Sequence, residues 1–151
     1  MLLREAFLFH DFSETVLEAI LGIASEEHHA AGKVLFRADD PATDLYILRE
    51  GRVRLSVIRG GALAHTMSEP GEAMGWSSMI GMGTYTASAE CTAPTTVIRL
   101  PSQRVLGILE NDPVSGFKFF RHLARHIGEQ LVESYGATLS LQDRKGAGSY
   151  G

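Results

Sequence analysis

The stretch Pro70-Gly-Glu-Ala-Met-Gly-Trp-Ser-Ser-Met-Ile-Gly-Met-Gly-Thr-Tyr-Thr-Ala-Ser-Ala89 decides the fold, because its glycines surround a short apolar segment between two β-rich regions. We call residues 70–89 the cassette. Glycine lets the backbone approach a ligand closely, and the start of a short helix presents unpaired N–H groups. The pattern is therefore typical of an anion or ligand cradle. The alternative is that the glycines serve turn geometry only.

Short strands are predicted on both sides of the cassette. The β-rich runs cover residues 33–37, 44–49, 52–57, 62–68, 86–91 and 95–100. The pair Gly60-Gly61 predicts a hairpin between the third and fourth of these runs. Because the strands follow one another closely without intervening helices, they favour a sandwich or barrel over a parallel β/α sheet.

Helices are predicted at both ends of the chain. Ser13 is expected to cap a helix that ends near residue 24, Ser102 a helix over 103–110, and Asp112 a long final helix. The apolar stripe of the final helix consists of Phe117, Phe120, Leu123, Ile127, Leu131 and Tyr135. This stripe packs either on its own domain or, beyond Ile127, on a second copy of the chain. We favour the second interpretation and expect a homodimer.

Composition limits the possible functions. The chain has 151 residues, 44% hydrophobic, with a net charge of -4, which argues against a nucleic-acid surface spread over the whole domain. The one cysteine, Cys91, excludes an intrachain disulfide and fits a reducing, cytoplasmic location. We expect no signal peptide and no membrane span. One domain over residues 1–142 and a flexible tail over 143–151 are predicted.

Two segments carry a family resemblance. Residues 45–55, Leu-Tyr-Ile-Leu-Arg-Glu-Gly-Arg-Val-Arg-Leu, form a strand-turn-strand pattern around a glycine, and Pro70–Trp76 and Tyr85–Ala87 begin and end a glycine cassette. In this order they resemble the cyclic-nucleotide-binding domain of the Crp/Fnr family. The resemblance implies a mainly β fold, a double-stranded β-helix or jelly roll with flanking helices. It also implies a ligand-sensing regulatory module that acts by repositioning its C-terminal helices.

The cassette departs from the pattern of nucleotide-binding members of that family. There, a glutamate accepts the ribose hydroxyl and an arginine neutralises the cyclic phosphate; the matching positions here are Trp76 and Tyr85. A register shift that uses Glu72 as the ribose acceptor places glycine or methionine at the arginine position. No Arg or Lys occurs between Gly60 and Arg99. Binding of cAMP or cGMP is therefore not expected.

The remaining cassette still predicts a binding site for some small molecule. The candidate ligand-binding residues are Gly71, Glu72, Gly75, Trp76, Ser77, Tyr85, Thr86 and Ala87. Backbone amides after Gly75 could hold a weak anion, and Trp76 could stack on a flat ligand. The open alternative is that Trp76 and Tyr85 plug the pocket and leave a ligand-free interaction module.

Chemistry beyond binding is not predicted. The run Glu26-Glu27-His28-His29 and the pair His122 and His126 contain possible metal ligands, but a solvated basic face explains the helical pair better. The sequence contains no nucleophile elbow and no Walker loop. We expect no catalytic residue, no resident metal or cofactor, and no direct DNA binding, since too few residues follow Gln142 for a recognition helix.

Overall fold

The computed structural model describes residues 3–57 and 63–142. Two 3-10 turns, Leu3–Glu5 and Phe7–Phe9, form the N-terminal segment, and a third, Trp76–Met79, lies in the cassette. The helices are α1 (Glu14–Ile23), α2 (Ser102–Asn111) and α3 (Pro113–Gln142). The strands are β1 (Ser25–His29), β2 (Val34–Phe36), β3 (Asp44–Glu50), β4 (Val53–Val57), β5 (Leu63–Met67), β6 (Ala73–Met74), β7 (Ser88–Cys91) and β8 (Thr95–Pro101).

The strands form two antiparallel sheets of the jelly-roll type. One has the order β1-β8-β3-β6 and the other the order β2-β7-β4-β5. Strands that are distant in sequence are neighbours in both sheets, as in the pairing of β3 with β8. This topology confirms the predicted mainly β fold. The predicted Gly60-Gly61 hairpin and the 143–151 tail lie outside the described residues.

The sheet that contains β3 separates two hydrophobic clusters. Leu45 and Ile47 pack against the N-terminal segment and the helices, whereas Tyr46 and Leu48 point into the interior between the sheets. Successive side chains of a strand point to opposite faces, so β3 has a buried side chain on both faces. We call the cluster between the sheets the barrel interior and the other the helical cluster.

Two of the three predicted N-cap residues, Ser13 and Asp112, are confirmed by the structure. The Ser13 hydroxyl accepts a hydrogen bond from Val16 N at 3.3 Å, and the Asp112 carboxylate accepts one from Ser115 N at 3.2 Å. The prediction for Ser102 was wrong by one position, because Pro101 is the N-cap and Ser102 is the first residue of α2. The Ser102 hydroxyl donates instead to the hydroxyl of Ser78.

Helix α3 turns two different apolar faces to its surroundings. Leu123 is buried with Phe119, while Phe117 is 66% exposed and Leu131 is 49% exposed. The predicted single stripe that joined Phe117 to Leu123 was therefore wrong, because Phe119 occupies the inward position in that turn. Among the helices that the structure describes, none is long and apolar enough to cross a membrane.

Candidate functional site

The cassette contains β6 and continues through the 3-10 turn Trp76–Met79 into β7. Gly71 N donates to Leu48 O and Leu48 N donates to Glu72 O, both at 2.8 Å, so the entry to the cassette is fastened to β3. All four cassette glycines adopt positive φ. Gly75 is the one whose conformation shapes the site: its φ of +78° turns the chain into the 3-10 turn at Trp76.

Gly75 lies directly against the ring of Tyr85. A Cβ atom at position 75 would lie 2.9 Å from the Asp44 carbonyl oxygen and 3.1 Å from Cε1 of Tyr85. Both distances are shorter than ordinary van der Waals contacts. The glycine is therefore required twice, once by its φ angle and once by the close approach of Tyr85.

Tyr85 is buried at the arginine position of the resembling family. Its side chain is 4% exposed, and its hydroxyl accepts a hydrogen bond from Asp44 N at 3.0 Å while donating one to Asp44 O at 2.8 Å. Burial raises the pKa of the Tyr85 phenol. The phenol therefore stays neutral, and it presents no charge to an anion.

Three aromatic rings fill the barrel interior beneath the cassette. The Tyr85 ring stacks on Phe36 with centroids 4.1 Å apart, and Phe36 stacks on Tyr46 at 5.7 Å. We call these three residues the aromatic stack. Its rings belong to the buried cluster between the sheets, which also contains Val97 and Met74.

Trp76 lies on the other side of the cassette. It is half-buried and packs against the helical cluster rather than the barrel interior. The structure therefore brings Gly75 and Tyr85 together but does not place Trp76 and Tyr85 in one cluster. Among the other predicted site residues, Ser77 is buried and Thr86 is exposed, with Ala87 half-buried.

Glu72 carries an unusual polar atom for a cassette residue. Its Oε2 is buried and has no hydrogen-bond partner among the described residues. Burial raises the pKa of this carboxyl, against a smaller opposing effect of the backbone near Glu69 and of His65. An unpaired buried carboxylate oxygen is costly, so this position favours a bound hydrogen-bond donor or the protonated acid.

Sequence reasoning missed a cation that lies against the aromatic stack, Arg99 of β8. Its guanidinium lies 5.7 Å from the Tyr46 ring centroid, Nη2 lies 2.9 Å from Asp44 Oδ2 and Nη1 lies 3.3 Å from Glu27 Oε2. The hydrogen bond with Asp44 raises the pKa of Arg99 further above its usual value. Strand alternation could have found Arg99, because it shares a face with the inward Val97.

Arg99 is therefore charged but already neutralised. Two carboxylates accept from the same guanidinium, and a third group, His29, lies 3.0 Å from Glu27 through its Nε2. A phosphate that approached Arg99 would compete with Asp44 and Glu27 for the guanidinium. The cassette itself, residues 70–89, contains no Arg or Lys.

The cassette is joined to α2 by a pair of serines. The Ser78 hydroxyl donates to Gly75 O at 2.7 Å and accepts from the Ser102 hydroxyl. Ser102 N in turn donates to Thr43 O at 3.0 Å, next to Asp44. The 3-10 turn and the first turn of α2 are therefore joined directly by side-chain hydrogen bonds.

The residues considered as possible metal ligands lie in β1 and in α3. Glu26-Glu27-His28-His29 forms β1, an edge strand paired with β8, a strand that sequence reasoning did not anticipate. His28 Nδ1 lies 2.9 Å from the Thr96 hydroxyl. Within residues 3–57 and 63–142, no group of three or more His, Cys, Asp or Glu side chains is arranged to hold a metal ion.

The fold and cassette together define the class of protein: a jelly-roll domain with a glycine cassette leading into β7 and with helices packed against the sheet that contains β3. The Cyclic nucleotide-binding domain family profile matches residues 26–112, more than half of the chain. The chain belongs to the cyclic nucleotide-binding domain family.

Individual relatives agree with this assignment. The chain is 27% identical over 128 residues to the Cyclic AMP receptor protein of Thermus thermophilus, a match that covers 83% of this chain and 59% of the relative. A solved structure from Geobacter metallireducens, of a candidate cyclic nucleotide-binding protein, superposes with a TM-score of 0.75 at 28% identity, covering 85% of this chain and 95% of that one.

A second curated relative has a different name. Glutaminase 2 of Bradyrhizobium diazoefficiens is 25% identical over 130 residues, which cover 86% of this chain and 20% of that protein. The chain thus spans 59% of one curated relative and 20% of the other, both less than two thirds, and their whole-protein activities do not follow from these matches.

Proposed function

We propose that this chain is a regulatory module of the cyclic nucleotide-binding domain family whose cassette is closed to free cAMP and cGMP by its own tyrosine. It acts through helix contacts and not through catalysis. The observation that carries this proposal is the position of Tyr85, which is stacked on Phe36 and bonded twice to the backbone of Asp44.

The phosphate of a cyclic nucleotide would find tyrosine instead of arginine at position 85. The family resemblance places an arginine where Tyr85 stands, and Arg99, which lies over the Tyr46 ring, is held by two carboxylates. Loss of a charge-assisted hydrogen bond costs about 1.5–3 kcal/mol. That corresponds to about a tenfold to hundredfold loss of affinity, before any cost of opening the site.

The Tyr85 ring also occupies the space beneath the cassette, where it stacks on Phe36. A ligand phosphate at this position would meet the Tyr85 ring, which is 4% exposed. Expelling the ring would break both of its hydrogen bonds with Asp44 and its stacking on Phe36. Each of these interactions is present without ligand, so ligand binding would have to replace them.

A second candidate is a sensor of another small molecule, favoured by the unpaired Oε2 of Glu72. A ligand with a hydrogen-bond donor, a cation or a neutral amine, would satisfy this oxygen where a cyclic phosphate would be repelled. The candidate binding residues are those of the cassette entry, Gly71 and Glu72, with Ser77 and Thr86 as further polar groups.

The partner that fits α3 best is a second copy of the chain. One face of α3 carries, at steps of three and four residues, three large apolar residues, Val114, Phe117 and Leu131, with Arg121, Ala124 and Gly128 between them. Val114 is 67% exposed, Phe117 66% and Leu131 49%. Large exposed apolar side chains at helical spacing mark an interaction surface, and we propose a homodimer through this face.

Catalysis is not part of the proposed function. The glutaminase relative is matched over only 20% of its length, so its name supports no activity here. The described cassette combines a neutral phenol, an unpaired carboxyl and buried serines, and Ser78 is bonded to Ser102 and Gly75 rather than to a general base.

A thermal-shift screen tests the proposed function. The purified chain is titrated with cAMP, cGMP, small carboxylic acids and small amines, and the midpoint of unfolding is recorded. We expect no concentration-dependent rise with either cyclic nucleotide. A rise with cAMP or cGMP contradicts the closed cassette, while a rise with an amine alone, abolished in Glu72→Gln, selects the second candidate.

A further inference from the structure

A half-open cleft separates the N-terminal segment from the middle of α3. It has a volume of about 400 Å³ and is lined by Glu5, Phe7, His10, His122, Arg125 and Glu129. The rings of His10 and His122 are 6.1 Å apart. The cleft therefore brings two imidazoles, one from each element, close together.

His126 lies one helical turn beyond His122 and contacts the same N-terminal segment. Its ring centroid is 5.0 Å from that of Phe7. Its Nε2 lies 3.1 Å from Nε2 of Gln130. An amide nitrogen only donates, so in this arrangement His126 Nε2 accepts, and an imidazole that accepts at Nε2 is neutral.

We propose that the contact between His126 and Phe7 is a proton-sensitive latch, which holds the middle of α3 against the N-terminal segment while His126 is neutral and releases it when His126 is protonated. Protonation puts a hydrogen on Nε2, so the bond with Gln130 is kept only if its amide turns to present Oε1. The charge is also partly removed from water, because the His126 ring is half-buried against Phe7.

The charges around the latch come from three elements. The N-terminal segment and the residue after it contribute Glu5 and His10, β5 contributes His65, and α3 contributes His122, Arg125, Glu129 and Glu133. Burial lowers the pKa of His126 below its usual value, and His65 adds to this effect. Glu129 and Glu133 oppose it without reversing it. Arg125 is paired with Glu129 at 3.0 Å.

The sign of the pH effect follows from this lowering. A group whose pKa is lower in the folded state favours the folded, latched form above its ordinary pKa of about 6.5. That contribution is lost as the pH falls through the lowered value. The latch is therefore closed at neutral pH and opens under mild acid.

The latch sits where α3 leaves the body of the domain. Ile127, the next residue, still packs on the helical cluster, whereas Leu131 and Val132 are 49% and 67% exposed. Release at His126 therefore frees the exposed second half of α3 to change direction. This inference is independent of the cassette, so it survives or fails separately from the proposed function.

Hydrogen exchange of the whole chain tests the latch. Between about pH 7.5 and about pH 5.5, after correction for intrinsic exchange, we expect amide protection over residues 124–132 to fall as the pH drops below about 6.5 and to level off below the lowered His126 pKa, the total fall being set by the difference between the two pKa values. In His126→Phe, which keeps an apolar ring but cannot be protonated, this pH dependence disappears. The matched control, His28→Gln in β1, retains it.

Direct titration of the histidine rings by NMR makes the test independent of the variants. We expect the His126 resonance to titrate below the usual value, in the same range as the change in exchange. A His126 that titrates at or above about 6.5 overturns the latch. So does a pH dependence of α3 protection that His126→Phe leaves unchanged.

Discussion

The Tyr85 hydroxyl forms hydrogen bonds with both backbone polar groups of Asp44: it accepts from the N–H at 3.0 Å and donates to the carbonyl at 2.8 Å. Asp44 is the first residue of β3, and its side chain holds Arg99. One phenol thus connects the end of the cassette to the strand that separates the two hydrophobic clusters. At this position the family resemblance leads one to expect a cation for a phosphate.

Replacing Tyr85 by phenylalanine should destabilise the fold measurably. The ring and its stacking on Phe36 remain, but the buried Asp44 N–H and carbonyl lose their partner. We expect a loss of about 1–3 kcal/mol in the free energy of unfolding, measured by chemical denaturation.

Tyr46→Phe is the matched control for that variant. Tyr46 is equally buried in the aromatic stack, at 4% exposure, and its hydroxyl makes no hydrogen bond within the residues described. Its removal should cost less than about 1 kcal/mol. Equal losses for the two variants would mean that the bond to Asp44 contributes nothing specific.

Alanine substitutions at Gly75 and Gly81 distinguish the cost of backbone strain from the cost of a steric clash. Gly75 and Gly81 have nearly the same φ, +78° and +76°, but a Cβ at Gly81 has nothing within 4 Å, whereas at Gly75 it meets Asp44 and Tyr85. Alanine at Gly81 should cost about 1–2 kcal/mol for the left-handed conformation alone. Alanine at Gly75 should cost more, and it should displace Tyr85.

The measurement for this pair is the difference between the two free energies of unfolding, combined with the near-ultraviolet circular dichroism of the tyrosines. A change in tyrosine signal confined to Gly75→Ala supports the close contact. If the two variants lose equal stability, the Gly75 position is not packed against the aromatic stack.

The exposed face of α3 should control the oligomeric state. Phe117→Glu and Leu131→Glu each place a charge in the proposed dimer interface, and each should weaken self-association by at least about tenfold. Analytical ultracentrifugation over a concentration series measures this. Leu21→Glu on α1 is the control, since Leu21 is 55% exposed and lies on another helix.

A monomeric wild-type chain at all concentrations would contradict the dimer prediction outright. A dimer that neither α3 variant weakens would place the interface elsewhere.

The jelly roll could be predicted because strand patterns and glycines carry local information. The alternation along residues 52–57 and the turn at Gly51 predicted β4 and the end of β3 correctly. The order of these motifs along the chain matched the order in the family. The edge strand β1 escaped prediction because its residues, Glu26 to His29, are polar and pair with β8 through the backbone. A polar edge strand has no hydrophobic alternation to detect.

The site could be predicted only in outline. The sequence indicates that no cation lies within the cassette, but it cannot show that Tyr85 points into the barrel while Trp76 packs on the helical cluster. Both are large aromatics in a glycine-rich loop, and the direction of each depends on the turn at Gly75. Arg99 was missed for a similar reason, since it lies far from the cassette in sequence and reaches Asp44 only through strand pairing.

Isothermal titration of cAMP and cGMP into the purified chain tests the closed cassette most directly. The account predicts no saturable heat at ligand concentrations up to about 1 mM, because the cassette contains no cation and the buried Tyr85 ring occupies the position of the phosphate-binding arginine. Saturable binding of either nucleotide to the wild-type chain at micromolar affinity or tighter would contradict it.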